Sequence, residues 1–150
     1  METKQLISEK AANIIMAVGL SILIISINVA IFTSLFPYYH VKLAEKDIPI
    51  KQIITGLTVA PFGEELIFRF IPISLLKNTE LFKENKWYII AIIACIFGYM
   101  HGDFYHIYIQ GVAGFAFGWV YVKNGMSYWS AVLAHFLYNF MIYIVIPIII

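Results

Sequence analysis

A chain of 150 residues has the size of one domain. It is 61% hydrophobic and 13% charged with a mean hydropathy of +0.83, too apolar for an ordinary soluble domain and suited to an integral membrane protein. The net charge of +1 gives no basic surface for nucleic acid, and the single cysteine, Cys95, excludes a disulfide framework and a cysteine-rich metal site.

A bilayer core of about 30 Å needs roughly 20 helical residues per crossing. The expected fold is therefore all-α: a polytopic transmembrane helix bundle of about five helices, with residues 1–150 as a single domain. Residues 1–10 are polar, and residues 11–36 form the first apolar segment. That run is too long for the core of a signal peptide, and no small-residue cleavage site follows it, so it reads as a retained span. Pro37-Tyr38-Tyr39-His40 suits the headgroup layer. After a polar loop at 41–51, the second helix covers 52–76. Pro61 and Pro72 each remove one backbone donor from it, so bending or local unwinding is expected there.

The lysine-rich stretch 77–86 reads as a solvated loop, Trp87 as an interface marker, and 88–101 as a third, short helix. A fourth helix at 104–122 carries Gly114 and Gly118, a small-xxx-small face that admits a neighbouring backbone. Lys123-Asn124-Gly125 is a turn, and 127–150 is the fifth span. Five crossings place Lys4, Lys10, Lys77, Lys83, Lys86 and Lys123 on one side, against Lys42, Lys46 and Lys51. This excess puts the N-terminus in the cytoplasm.

Glu64, Glu65 and Arg69 lie inside the second apolar segment. A central Asp, Lys or Arg costs about 2.5–3.5 kcal/mol on insertion scales, so three charges together need partners, water or a function. Glu65 and Arg69, four apart, share a helical face and can neutralise each other, whereas Glu64 is turned about 100° away. The bland alternative is an ion cluster that only fixes helix packing. Two further polar groups interrupt apolar helices: His101 ends the third, and His135 and Asn139, again four apart, share a face of the fifth. Two donors aimed at one point suit a developing oxyanion. At 1.5 Å per residue from one membrane face, Glu64 lies about 18 Å deep, His101 about 21 Å, Asn139 about 20 Å and His135 about 14 Å. Residues from three helices thus fall at similar depth.

Glu64-Glu65-x-x-Phe68-Arg69, Phe97-x-x-x-His101 and His135-x-x-x-Asn139 resemble, in order and spacing, the three motifs of the CAAX protease and bacteriocin-processing family of intramembrane glutamic peptidases. The resemblance implies a metal-independent endopeptidase without cofactor, in which Glu64 and His101 position and deprotonate a water. It gives His135 and Asn139 the oxyanion, and Glu65 and Arg69 a supporting role. It implies a bilayer setting and, as substrate, a membrane-associated peptide or small membrane protein; the short, Ile-, Lys- and Tyr-rich chain reads as a protein of a bacterial cell membrane. A part in bacteriocin or peptide maturation, or in self-immunity, goes with it. The chain departs from the family pattern at Phe70, where many relatives have glycine, and in its short length, which raises the option of a homo-oligomer.

The same residues admit other readings. Glu64, His101 and His135 could supply three ligands to zinc in an intramembrane metalloprotease, although no His-Glu-x-x-His helix is present. A variant set is His101, Asp103 and His106, with Asp103 otherwise a helix cap. Ser74, Ser127 and Ser130 lack a base at a recognisable spacing, and Cys95 reads as a packing residue. A non-catalytic bacteriocin-immunity protein would use the polar cavity for recognition alone. A proton or ion carrier would want a second deep acidic residue in another span, and none is present.

Overall fold

The computed structural model describes residues 2–35, 49–102 and 104–146, almost all of them helical and none in a strand. The interfacial cluster at 37–40, most of the 41–51 loop, the Asp103 cap and the last four residues of the fifth span lie outside the described residues.

Helix α1 (Glu2–Leu35) starts well before residue 11, because nothing in the polar leader breaks a helix. Its 34 residues span about 51 Å, more than a bilayer core, so its charged first turns need not enter hydrocarbon. One stripe, Ile14, Ala17, Val18 and Ile25, packs into a core with Phe117, Val120, Ala134 and Tyr138. Leu20, Leu23, Ile27 and Ile31 face outward. In water such a surface would drive aggregation; in a bilayer it faces lipid.

The proline-bearing segment is broken as its sequence predicts. Helix α2 (Ile50–Leu57) stops at Thr58, whose φ/ψ of −112°/−71° marks the bend, and α3 (Val59–Glu65) resumes. Pro61 cannot donate to Leu57, and its ring crowds that carbonyl, so the helix is interrupted one turn upstream. A π-helical turn, Leu66–Phe70, then precedes α4 (Ile71–Leu76). There the Ile71 N–H reaches back five residues to the Leu66 carbonyl, and Pro72 follows directly. Arg69 projects from this widened turn.

The expected loop at 77–86 is corrected. Helix α5 (Glu80–Tyr99) begins eight residues before the predicted third helix, because Thr79 caps it by accepting from the Phe82 N–H at 3.2 Å. The polar residues are carried on exposed helical turns with a kink at Asn85. The helix ends at Tyr99, so His101 lies in the following turn. A single turn α6 (Phe104–His106), a π-helical turn (Ile107–Gly111) and α7 (Val112–Lys123) make up the fourth element. The last comprises α8 (Tyr128–Phe140), capped by Ser127, and a third π-helical turn (Met141–Val145).

Helix α7 is the centre of the bundle, contacting α1, α5 and α8. A Cβ on Gly118 would come within 2.7 Å of Ile90, so the absent side chain is what lets α5 lie against α7. By length and apolar content, Thr3–Leu35 and Tyr128–Val145 suffice to cross a membrane; the proline-broken second segment is divided into shorter pieces.

Candidate active site

Glu65 and Arg69 are fully buried, and Arg69 Nη1 stands 3.3 Å from Glu65 Oε1, the ion pair expected from their spacing. The guanidinium also donates through Nη2 to the Gly114 carbonyl at 2.8 Å and lies over the Phe97 ring, 4.5 Å from its centroid. This combination of fork and aromatic face is particular to arginine. A Cβ on Gly114 would meet Phe97 at 2.7 Å and Arg69 Nη2 at 2.8 Å, so the glycine makes room for the cation.

Glu64 is turned away from that pair. Its side chain keeps 29% of its exposure, against none for Glu65, and it opens into a cavity of about 470 Å³. Glu64 Oε2 lies 3.7 Å from His101 Nε2 and 3.8 Å from His135 Nε2, and Asn139 lines the same cavity. Residues 75 positions apart in the chain therefore meet around one carboxylate.

Local structure orients both imidazoles. Just past the end of α5, the His101 backbone N–H bonds Gly98 rather than Phe97. The freed Phe97 carbonyl accepts from His101 Nδ1 at 2.7 Å, which turns Nε2 toward Glu64. His135 donates from Nδ1 to Glu65 Oε1 at 2.8 Å and stacks on Phe117 with ring centroids 4.5 Å apart, so its Nε2 also faces Glu64. Asn139 donates from Nδ2 to the Gly56 carbonyl at 2.8 Å, which ties α8 to α2 beside the bend at Thr58. An amide nitrogen carries two N–H groups, and this bond uses one.

Several participants were not legible in the sequence. Sequence reading gave Gly114 only a packing role, and Phe117 and Gln110 none. The Glu65–His135 bond, which makes Glu65 an orienting group as well as the partner of Arg69, had no sequence signal, because its ends are 70 residues apart. Among the described residues, no group of three or more His, Cys, Asp or Glu side chains is arranged to hold a metal ion, and Asp103 of the variant set lies outside them.

A family model described as type II CAAX prenyl endopeptidase Rce1-like matches residues 46–141. No curated protein and no solved structure matches the chain. The matched stretch covers more than half of the chain and contains Glu64, His101, His135 and Asn139, and on that extent of match the chain belongs to the type II CAAX prenyl endopeptidase Rce1-like family, whose members are membrane-embedded proteases.

Proposed function

We propose that the chain is an intramembrane glutamic endopeptidase, hydrolysing a peptide bond of a membrane-associated peptide or small membrane protein through a water activated by Glu64. The observation that carries this reading is Glu64, a partly exposed side chain lining an open cavity, with its Oε2 3.7 and 3.8 Å from two imidazole nitrogens. A group that takes a proton must reach the water it activates and be free of other partners. Glu64 meets both conditions, whereas Glu65 is engaged by Arg69 and His135.

In this mechanism His101, with Nδ1–H held by Phe97, presents the Nε2 lone pair to one hydrogen of the water while Glu64 accepts the other. As the water oxygen attacks the scissile carbonyl carbon, its proton passes to Glu64, and the carbonyl π electrons move onto oxygen. The imidazolium form of His135 keeps Nδ1–H on Glu65 and offers Nε2–H to that oxyanion, and the second N–H of Asn139 joins it. Collapse of the tetrahedral species breaks the C–N bond, and the proton on Glu64 leaves with the amine. The finer setting is a five-span protein of a bacterial cell membrane acting on a leader peptide, pheromone or bacteriocin precursor. The span count rests on the apolar segments, the bacterial setting on the short, Ile-, Lys- and Tyr-rich chain, and the substrate class on the motif resemblance.

Glu64→Gln preserves shape and removes the base. Comparative peptidomics of membranes carrying wild-type or Glu64→Gln protein is expected to show peptides lost from the variant, with purified cleavage reduced about 10²–10⁴-fold and membrane insertion normal. Cleavage at the wild-type rate would remove Glu64 from the role of base. If activity is instead abolished by a zinc chelator and restored by zinc, the metalloprotease mechanism replaces this one.

A further inference from the structure

Between α1 and α7 the outer face of the bundle is indented by a groove of about 400 Å³, separate from the cavity of Glu64. Small residues make its floor: Ala17 and Ser21 are buried, and Ala116 is half-buried. The Ser21 hydroxyl donates to the Val18 carbonyl at 2.9 Å, so its hydrogen is spent within α1. Met16, Leu20 and Phe115, with 47, 50 and 37% exposure, line the same groove, which is therefore reached from outside.

Cross-helix ties fix both ends. Asn13 Nδ2 donates to Asn124 Oδ1 at 2.9 Å and Asn124 Nδ2 to the Lys10 carbonyl at 3.2 Å, while Asn28 Nδ2 donates to the Tyr108 carbonyl at 2.9 Å. Asn13 and Asn28 are about 22 Å apart along α1. Between them the small side chains leave the space between the helices unfilled.

The two ends differ in charge. Trp119 lines the groove, and the exposed Lys123 places Nζ 6.0 Å from its ring centroid. Asn124 holds the Lys10 backbone to this end; against the two lysines stands Glu9, which leaves one net positive charge. At the far end the lining is Ile24 and Val112, both apolar. Lys123 and Val112 are about 16 Å apart along the helix, close to the roughly 15 Å of hydrocarbon in one leaflet. Spread over about 12 Å of α1, from Met16 to Ile24, the volume gives a cross-section on the order of 30 Å², well under that of a helix about 10 Å across. A hydrocarbon chain fits this width; a helix of a second copy does not.

We propose that the groove binds one anionic phospholipid, an acyl chain lying over Ala17, Ser21 and Ala116 and the phosphate against the Lys123 ammonium. The chain fills a gap that packed helices leave open, and the cation selects the headgroup. The proposal needs the bundle to lie in a bilayer and is independent of the peptidase reading.

Trp119 supplies the probe. The full chain carrying Trp87→Phe and Trp129→Phe, which leave Trp119 as the sole tryptophan, is placed in phosphatidylcholine nanodiscs containing increasing fractions of phosphatidylglycerol or phosphatidylcholine brominated on an acyl chain. Brominated phosphatidylglycerol is expected to quench Trp119 half-maximally at about fivefold lower mole fraction than brominated phosphatidylcholine, the preference one lysine confers near a membrane surface. Lys123→Gln should abolish that preference, Lys123→Arg should keep it, and Lys77→Gln, an exposed lysine elsewhere, should leave it unchanged. Ala116→Leu, or the gentler Ala116→Val, should weaken quenching by both lipids, with melting temperature in detergent checking that the fold is intact. Equal quenching by the two lipids, a preference that survives Lys123→Gln, or one lost equally in Lys77→Gln overturns the proposal. Trp119 shielded from every brominated lipid also overturns it, and crosslinking into dimers would then identify a second copy as the occupant.

Discussion

Arg69 is the side chain whose loss the site could least absorb. It is buried to 1% exposure beside a Glu65 with none, and it holds Glu65, the Gly114 carbonyl and the Phe97 ring at once. Arg69→Met would leave Glu65 a buried charge facing only His135, and breaking such a pair costs about 3–5 kcal/mol. Arg69→Lys should recover little of this, because a single ammonium cannot sit beside Glu65, donate to the Gly114 carbonyl and lay a flat face on Phe97 together. Thermal melting of both variants in detergent measures it, and a lysine variant as stable as wild type would show that charge alone suffices. The pairing of Glu65 with Arg69 was readable from spacing, since four residues is just over one helical turn. What Glu65 does with its second partner, His135, was not, because nothing local to either residue encodes the contact.

Among elements, the contact of α5 with α7 decides whether the site assembles. Gly118→Ala would set a methyl 2.7 Å from Ile90, and Gly114→Ala would press on both Phe97 and Arg69, so each should destabilise by about 1–3 kcal/mol. Gly114→Ala should also lower cleavage, because Phe97 supplies the carbonyl that orients His101. Gly19→Ala in α1 meets nothing within 4 Å and should stabilise by about 0.5–1 kcal/mol. Melting temperatures of the three variants check the contrast; equal shifts would mean that helix propensity, not packing, governs these positions. The prolines announced the break near Glu64, since a missing donor acts locally. The π-helical turns were silent, because widening a turn depends on what the neighbouring helices demand of it.

For the whole molecule, the lysine distribution predicts how the bundle sits across the bilayer. The five-span reading places Lys83 and Lys123 on one face and Lys51 on the other. In a Cys95→Ala background, Lys83→Cys and Lys123→Cys should react with a membrane-impermeant maleimide from the same side of sealed vesicles, and Lys51→Cys from the opposite side. Lys83 and Lys123 labelled from opposite sides would overturn the span count. The outward-facing Leu20, Ile27, Ile92 and Leu133 already mark a surface made for lipid.

Composition alone determined that this chain is helical and membrane-bound, because hydrocarbon leaves a backbone few ways to satisfy its own hydrogen bonds. Spacing along single helices determined which of two adjacent glutamates is paired, because helical periodicity is a local property. Only the tertiary structure decided that Glu64, His101 and His135 share one cavity, and that Glu65 reaches His135. Those relations depend on how far two helices approach and at what rotation. Both are set by small residues such as Gly98 and Gly114 acting on partners distant in the chain.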